Sequence, residues 1–216
     1  MVKDGEPDGE AMARAMKSKS AARPGGSGRP GSVRIIGGEW RGRRLPVADL
    51  PGLRPSGDRA RETLFNWLQP HIAGARCADL FAGTGVLGLE AASRGAAEVT
   101  LVENTPLAMQ VLRAALVKLG IPGAKAGIHL EQCDALRWLA HREPRSLDLV
   151  FIDPPFGSCL ETQALELLAH RDLVRPGGLV YVETARNAPP LHPGLGWELA
   201  KEKTLGDVRM VLLKRI

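Results

Sequence analysis

Residues 79–90 read DLFAGTGVLGLE, and this stretch decides the fold. Three glycines, Gly83, Gly85 and Gly88, lie between an apolar run that is typical of a strand and one that is typical of a helix. Glycines let the backbone turn tightly and approach a ligand, and a helix that begins here offers unpaired N–H groups. The spacing G-x-G-x-x-G, followed about 20 residues later by Glu103 at the end of the next strand, predicts a nucleotide-binding turn.

Strand-like and helix-like segments alternate along the rest of the chain. The predicted strands cover 77–83, 98–104, 128–134, 147–155 and 177–185, and the predicted helices cover 85–95, 106–120, 135–142 and 160–174. Strands that alternate with helices pair in parallel through right-handed crossovers. The sequence therefore predicts the α/β class, with a doubly wound, Rossmann-like sheet. The last segment, 197–216, predicts two strands around Gly206, and a closing hairpin is unusual for a nucleotide-dependent dehydrogenase.

Two regions precede this alternating pattern. Residues 1–31 are rich in Gly, Ser, Pro and Ala and lack an apolar period, which predicts a disordered tail. Residues 32–70 predict a small β-hairpin, from the runs SVRIIGG and RGRRLPV, and a helix that ends at Pro70. We therefore expect one domain over 32–216, in which 71–216 form the catalytic Rossmann-like core.

The composition is that of a soluble globular protein. The chain has 216 residues, of which 44% are hydrophobic and 25% are charged, and its formal net charge is +5. This length fits one full-sized core better than two. No apolar run reaches the roughly 20 residues of a membrane span, and no secretory signal is visible, so we expect a cytoplasmic protein without membrane contact. Three widely separated cysteines without metal-ligand spacing predict reduced thiols and no metal site.

Seven arginines cluster in the N-terminal extension. They are Arg34, Arg41, Arg43, Arg44, Arg54, Arg59 and Arg61, and only three acidic residues lie among them. The planar guanidinium forms forked hydrogen bonds to phosphate, which lysine does not. The cluster therefore points to a polyanion such as RNA, although charge alone fits a solvated basic face equally well.

Two acids favour S-adenosylmethionine (SAM) over a dinucleotide. Asp79 precedes the glycine turn, where its charge would repel a pyrophosphate but attract the cationic amine on the methionine part of SAM. Asp134 follows the third core strand and can accept a hydrogen bond from the adenine amino group. Asp134 is almost as well interpreted as the cap of the helix that starts at Ala135, and both interpretations stay open.

The segment Asp153-Pro154-Pro155-Phe156 ends the fourth core strand. In such a sheet, ligands bind beyond the carboxyl ends of the strands. A carboxylate and proline carbonyls on a rigid backbone can accept both protons of an –NH2 group and aim its nitrogen lone pair at an electrophilic methyl. Phe156 can stack on a base, which must be unpaired or flipped out to reach this site. The segment therefore predicts methylation of an exocyclic amine on a nucleobase.

Taken in order, the segments DLFAGTG, VEN, CDA and DPPF resemble a class I SAM-dependent methyltransferase of the amino-methylating type. The N-terminal RIIGGEWRGRRLPV and GLRPSGDRARETLFNWL are more specific and are similar to the RsmD family. The likeness runs from about Arg34 to the C-terminal EKTLGDVRMVLLKR, which leaves out only the tail. Members of this family are bacterial methyltransferases that modify N2 of a guanine, by resemblance guanine 966, in 16S ribosomal RNA.

The resemblance implies a seven-strand sheet in which the last hairpin adds an antiparallel strand. It also implies SAM as the methyl donor, S-adenosylhomocysteine as the product, and no metal. The residues expected to bind SAM are Asp79, Phe81, Ala82, Gly83, Thr84, Gly85, Glu103 (at the ribose), Asn104, Asp134 (at the adenine) and Ala135. The catalytic residues expected to hold the guanine are Asp153, Pro154, Pro155 and Phe156, and the residues expected to face RNA are Arg34, Gly37, Arg41, Arg43, Arg54 and Arg59.

The expected partner is 16S ribosomal RNA within a partly assembled 30S subunit with its ribosomal proteins, and the enzyme is expected to be a monomer. Three other functions stay open at this point. An adenine-N6 methyltransferase acting on DNA would use the same DPPF chemistry. A non-catalytic RNA-binding assembly factor could keep a vestigial SAM pocket, and a Rossmann oxidoreductase could use the same glycine turn.

Overall fold

The structure, a computed structural model, describes residues 31–47, 57–121, 127–155, 157–191, 194 and 196–216. Its elements in chain order are β1 (Ser32–Arg34), β2 (Arg44–Pro46), α1 (Asp58–Ile72), β3 (Arg76–Asp79), α2 (Val86–Ser93), β4 (Glu98–Val102), α3 (Pro106–Lys118), β5 (Ile128–Glu131), α4 (Ala135–Leu139), β6 (Leu147–Ile152), α5 (Leu160–His170), β7 (Val174–Ala185), β8 (Trp197–Leu205) and β9 (Val208–Arg215). The tail predicted over 1–31 lies outside the described residues, except for Gly31. None of the helices in the described ranges has the length and apolar character that a membrane span requires.

Seven strands form one sheet in the order β5-β4-β3-β6-β7-β9-β8. The five strands from β5 to β7 are parallel, and β9 runs antiparallel to both β7 and β8. The chain winds outward from β3 to β5 and then returns to place β6 on the other side of β3, so the order reverses between β3 and β6. This topology confirms the predicted doubly wound α/β sheet and its antiparallel closing hairpin. Ligands bind at such reversal points, beyond the carboxyl ends of the strands.

The sheet lies between two apolar layers. Leu149 and Phe151 of β6 pack into the layer that contains α1, α2 and α3, whereas Val150 and Ile152 pack into the layer that contains α4 and α5. Positions covered on both faces must be apolar, which is why β6 continues after Asp148 as an uninterrupted hydrophobic run over residues 149–152. Asp153, which follows this run, is half-buried at the carboxyl end of the strand.

The helix predicted over 160–174 is wrong in its last turn. α5 ends at His170, and Asp172 has a φ of 50°, in the left-handed region that ends a helix. Val174 then pairs with Leu147 and begins β7. The apolar pair that resembled the end of a helix is thus the start of a buried strand.

The N-terminal extension is more irregular than the predicted hairpin. β1 and β2 pair over only three residues each, with Val33 opposite Leu45. Gly38 and Gly42 have φ of 74° and 85°, so the chain between the strands forms a loop rather than a ladder. α1 also continues beyond the predicted end at Pro70. The helix ends at Ile72, whose side chain is buried in the core.

Candidate functional site

Acidic side chains lie at the carboxyl ends of three adjacent strands. β3 ends at Asp79, β4 ends directly before Glu103, and β6 ends directly before Asp153. β3 lies between β4 and β6, and Asp79 is in register with Phe151, two residues before Asp153. Asp153 follows the last residue of β6, so it lies at the same end of the sheet as Asp79, one strand away. The predicted cofactor and base sites therefore open at one end of the sheet, at its reversal point.

Asp79 is a buried carboxylate with an unused acceptor. Its Oδ2 accepts a hydrogen bond from the Gly88 amide at 3.0 Å, and among the described residues its Oδ1 has no hydrogen-bond partner. Burial raises the pKa of Asp79 to about 7, the charge of Glu103 adds to this effect, and the Gly88 and Phe81 amides oppose it. A cationic hydrogen-bond donor at Oδ1 would satisfy the acceptor and stabilise the charge.

The turn between β3 and α2 requires its glycines. Gly83 and Gly85 have φ of 52° and 72°, which L side chains rarely adopt. A Cβ on Gly85 would also lie 2.7 Å from Leu112 Cδ1. The Gly85 amide donates to the Ala82 carbonyl at 2.6 Å and closes the turn. Of the predicted loop residues, Ala82, Gly83, Thr84 and Gly85 are buried and Phe81 is half-buried.

Glu103 joins the glycine turn to the end of β4. Its Oε2 accepts from the Gly83 amide at 2.8 Å, and its Oε1 accepts from the Thr105 amide at 2.6 Å. Asn104, which was predicted beside it, is exposed. The two bonds hold the Glu103 carboxylate at the mouth of the turn, where an acid in this position binds ribose hydroxyls in nucleotide-binding folds.

Asp134 caps α4. Its Oδ1 accepts from the Arg137 amide at 2.8 Å, and the helix begins at the buried Ala135. The capping interpretation is therefore confirmed. An adenine contact through the same exposed carboxylate stays a prediction.

Asp153 follows β6 as a half-buried side chain, between the apolar strand and the proline pair. Pro154 is buried and Pro155 is exposed, and the Pro155 carbonyl accepts from the Ser158 amide at 3.3 Å. Phe156 lies outside the described residues. The carboxylate thus stands on a backbone whose freedom is limited by two rings and by packing.

Sequence reasoning missed two polar residues beside Asp153. Tyr181 and Glu183 lie on β7, and the Tyr181 hydroxyl donates to Glu183 Oε2 at 2.7 Å. Burial raises the pKa of Tyr181 well above its ordinary value, and the charges of Glu183 and Asp153 raise it further. The signal in the sequence was an acid inside the otherwise apolar run GGLVYVETA.

A buried glutamate on α2 holds the loop of the N-terminal extension. The docking loop, residues 36–40, bonds to Glu90 through the amides of Ile36 and Gly37, at 2.6 and 2.7 Å. Arg94 Nε donates to the same carboxylate at 2.8 Å. Because α2 follows directly from the glycine turn, the extension docks on the helix that the turn begins.

Ser93 extends this docking by one helical turn. Its hydroxyl donates to the Gly37 carbonyl at 2.6 Å and accepts from the Trp40 amide at 2.9 Å. A Cβ on Gly38 would overlap the Ser93 carbonyl oxygen. The two glycines of the docking loop are therefore explained by close contact with α2, and an RNA contact at Gly37 stays a prediction.

The structure separates the arginines of the extension into two groups. Arg61 is fully buried, donates to the Arg34 carbonyl at 2.8 Å and pairs with Asp58 at 2.5 Å. Arg43 donates to the Leu119 carbonyl at 2.8 Å, at the end of α3. Arg61 therefore serves the protein's own packing, which the sequence did not reveal, whereas the predicted RNA contact of the half-buried Arg43 stays a prediction.

Three other predicted RNA-facing arginines, Arg34, Arg41 and Arg59, are exposed. Arg34 pairs with the exposed Asp58 at 3.2 Å, and Arg41 and Arg59 lie on the surface. Arg54 lies outside the described residues. Arg41 and Arg59 are thus the predicted cations whose accessibility best suits a phosphate partner.

Metal ligands do not gather at this site. Within the described ranges, no group of three or more His, Cys, Asp or Glu side chains could hold a metal ion. The cysteines are free, and burial raises the pKa of the Cys77 thiol to about 12, which keeps it protonated.

The chain is similar to known methyltransferases, and to a family model, over almost its whole described length. A family model described as Conserved hypothetical protein 95 matches residues 33–214. The Ribosomal RNA small subunit methyltransferase D of Haemophilus influenzae is 45% identical over 179 residues, covering 82% of this chain and 91% of that protein. The protein of the same name from Escherichia coli K12 is 44% identical over 186 residues, covering 86% and 91%.

Solved structures agree with this likeness. One from Escherichia coli is 42% identical, has a TM-score of 0.73, and covers 86% of this chain and 98% of its own. One from Haemophilus influenzae is 39% identical and has a TM-score of 0.73. The match covers 86% of this chain and 99% of the solved chain. The fold is that of class I methyltransferases. With its motifs, fold and relatives in agreement, the chain belongs to the RsmD family of methyltransferases.

Proposed function

We propose that this protein transfers a methyl group from SAM to the exocyclic N2 of a guanine in 16S ribosomal RNA, by resemblance guanine 966. The observation that carries the proposal is the placement of Asp79 and Asp153 at the carboxyl ends of two adjacent parallel strands. One acid suits the cationic end of the donor, and the other suits the amine that receives the methyl. The names of the relatives at 44 and 45% identity support ribosomal RNA as the substrate.

SAM fits the acids around the glycine turn better than a dinucleotide does. The buried Oδ1 of Asp79 lacks a donor among the described residues, and Glu103 lies at the same turn through its bond to Gly83. A pyrophosphate would bring negative charge to these carboxylates, whereas an ammonium group would neutralise one of them. In this proposal Asp79 accepts from the amine, Glu103 accepts from the ribose, and Asp134 and Ala135 lie at the adenine.

The residues at the end of β6 orient the nucleophile. SAM supplies an electrophilic methyl when bound. Asp153 and the Pro154 carbonyl accept hydrogens from the guanine amine, which turns the N2 lone pair outward. The N2 lone pair forms the N–C bond as the S–C bond breaks. The electron pair of the S–C bond stays on sulfur in S-adenosylhomocysteine, and one amine proton passes to water during or after transfer. Pro155 and Phe156 complete the base site in this proposal, Phe156 by stacking.

The substrate is proposed to be 16S ribosomal RNA in a partly assembled 30S subunit, bound by a cytoplasmic monomer. Purified 16S RNA, assembling 30S particles and duplex DNA should be incubated in parallel with the protein and labelled SAM. Nucleoside mass spectrometry should detect N2-methylguanosine in the ribosomal substrates. N6-methyladenine in DNA would favour the DNA enzyme instead, and RNA binding without any methyl transfer would favour the assembly factor.

Arg41→Ala is expected to weaken RNA binding and to reduce its salt dependence. Each phosphate contact that is lost lowers the slope of log K against log salt concentration by about 0.7 to 0.9. Affinity should be measured over a series of salt concentrations. Lys201→Ala, which removes an exposed cation from β8, is the matched control. A slope equal to that of the unaltered protein would show that Arg41 does not contact phosphate.

SAM affinity is expected to rise as the pH increases from about 6 to 7. The pKa of Asp79 in the free protein is about 7, so below that value a proton must leave before the carboxylate can pair with the SAM amine. As the pH is lowered below about 7, SAM affinity should fall by up to about tenfold per pH unit. As the pH is raised above about 8, affinity should fall again, because the SAM amine loses its own proton. Calorimetry at several pH values would measure both limbs. Asp79→Asn should remove the acid limb, and an unchanged limb in this variant would assign it to another group.

A further inference from the structure

A second carboxylate stands beside Asp153 on the neighbouring strand. β6 and β7 are parallel, with Phe151 opposite Tyr181 and Ile152 opposite Val182, and the residues that follow are Asp153 and Glu183. Glu183 shares a face of β7 with Tyr181, which is opposite Phe151, the partner of Asp79, so Glu183 stands on the face that also carries Asp79. Asp153 is the residue directly after the last paired position of β6, next to Glu183 in chain order on the two strands. Neighbouring strands are about 4.8 Å apart, which lets oxygens of two such side chains converge on one small group.

Glu183 is held in place as a buried acid. It is 5% exposed, and Tyr181, which is 1% exposed, donates its hydroxyl to Oε2 at 2.7 Å. The charges of both Glu183 and Asp153 raise the pKa of the Tyr181 hydroxyl. An ionised carboxylate has about four acceptor positions, so the bond from Tyr181 leaves capacity for a further donor. Each carboxylate can bind a base through a single acceptor position, in addition to the bonds it already makes.

Two adjacent carboxylates select the edge of one base. Ionised carboxylates accept hydrogen bonds and cannot donate them. Guanine presents two neighbouring donors on its Watson–Crick edge, N1–H and the N2 amine. Adenine and cytosine present an amine next to a ring nitrogen that is itself an acceptor, and this nitrogen would face a carboxylate without a proton between them. A site built this way rejects such bases through an unpaired polar contact.

We propose that Glu183 is a specificity-determining residue, which accepts N1–H of the target guanine while Asp153 accepts from N2. Tyr181 is a positioning residue that fixes the Glu183 carboxylate. This assignment rests on the proposed function and deepens it, because it explains why a DPPF site would take guanine rather than adenine. It assigns the choice of base to β7, outside the DPPF segment.

The test compares two targets that share the 2-amino group. 30S particles should be reconstituted with 16S RNA that carries either guanine or 2-aminopurine at the methylated position. 2-Aminopurine keeps the N2 amine, but its N1 is an acceptor. The unaltered protein should prefer guanine, measured as kcat/KM, by about tenfold or more.

Glu183→Gln should reduce this preference about tenfold, because the glutamine amide can donate to N1 of 2-aminopurine. Tyr181→Phe should lower the preference in the same direction without removing the acid. Glu198→Gln, at an exposed position on β8, should leave it unchanged. A purely structural role for Glu183 would lower kcat/KM on both targets equally, and an unchanged ratio would overturn the assignment.

Two further outcomes keep the inference separate from the proposed function. Equal rates of the unaltered protein on both targets would overturn the role of Glu183 even if Glu183→Gln does not fold, and would leave the methyltransferase proposal intact. Transfer to neither target, with SAM still bound in calorimetry, would overturn the proposed function and the assignment of Glu183 together.

Discussion

Replacing Asp153 with alanine is expected to lower the rate of methyl transfer about 10²- to 10³-fold while SAM affinity stays the same. The carboxylate stands at the end of β6, and the residues proposed to bind SAM lie at the ends of β3, β4 and β5 and in the segments that follow them. Loss of Asp153 removes an acceptor that is in place before reaction, so the guanine amine keeps its lone pair delocalised into the ring. The effect falls on the chemical step and not on the binding of the donor.

A single-turnover assay with saturating RNA and SAM isolates that step. SAM affinity should be measured in parallel by calorimetry, without RNA. Asp153→Asn keeps one acceptor oxygen and should lose less activity than Asp153→Ala. Glu198→Ala removes an exposed carboxylate from β8, at the far edge of the sheet, and controls for the loss of negative charge. A rate for Asp153→Ala equal to that of the unaltered protein would refute the role of this carboxylate.

The sheet and the outline of its site follow from signals that are local in sequence. The apolar run before Asp153 reflects a strand covered on both faces, and the glycines at 83 and 85 reflect positive φ in a tight turn. Parallel strands end at the same edge, so once the strands are assigned, the acids that follow them must converge. This is why residue order alone was enough to group Asp79, Glu103 and Asp153 at one edge of the sheet.

Contacts between distant segments could not be read in the same way. The Gly37 amide meets Glu90 from 53 residues away, and Arg43 meets the Leu119 carbonyl from 76 residues away. A cluster of arginines looks the same in sequence whether its members face RNA or pack inside the protein. Arg61 belongs to the second kind, and only its fully buried position and its bonds reveal this. The acid within the apolar run of α2 was the one sign in the sequence that a buried cation or donor lay near.

Competing short-range signals limited how accurately the sequence predicts where helices and strands begin and end. Leu173 and Val174 resemble a last apolar pair of α5, yet Asp172 adopts a positive φ and both residues are buried at the start of β7. Asp134 satisfied two interpretations at once, and the structure shows the cap. Val174 belongs to β7 because it pairs with Leu147 in β6, and Asp134 is a cap because it accepts from the Arg137 amide. Residue types alone do not specify either contact.

Glu90→Ala is expected to lower the free energy of unfolding by about 3 to 5 kcal/mol, the range found when one partner of a buried charged group is removed. The Glu90 side chain is fully buried and accepts from the amides of Ile36 and Gly37, and Arg61 Nη1 lies 3.9 Å from it. Alanine would leave the two amides without their acceptor, and each unsatisfied buried donor costs about 1 to 3 kcal/mol. It would also remove the buried negative charge that faces the Arg61 guanidinium.

Urea denaturation followed by circular dichroism would measure this loss. Glu62→Ala, on the exposed side of α1, is the matched control and should change stability by less than about 0.5 kcal/mol. Glu90→Gln keeps one acceptor oxygen for the docking loop but loses the charge that faces Arg61, so its stability should lie between those of Glu90→Ala and the unaltered protein. A loss for Glu90→Ala no larger than that of the control would mean that the docking loop is held by Ser93 and the surrounding apolar contacts instead. The expected loss is large because a buried carboxylate and the donors around it are tolerated only while both remain in place.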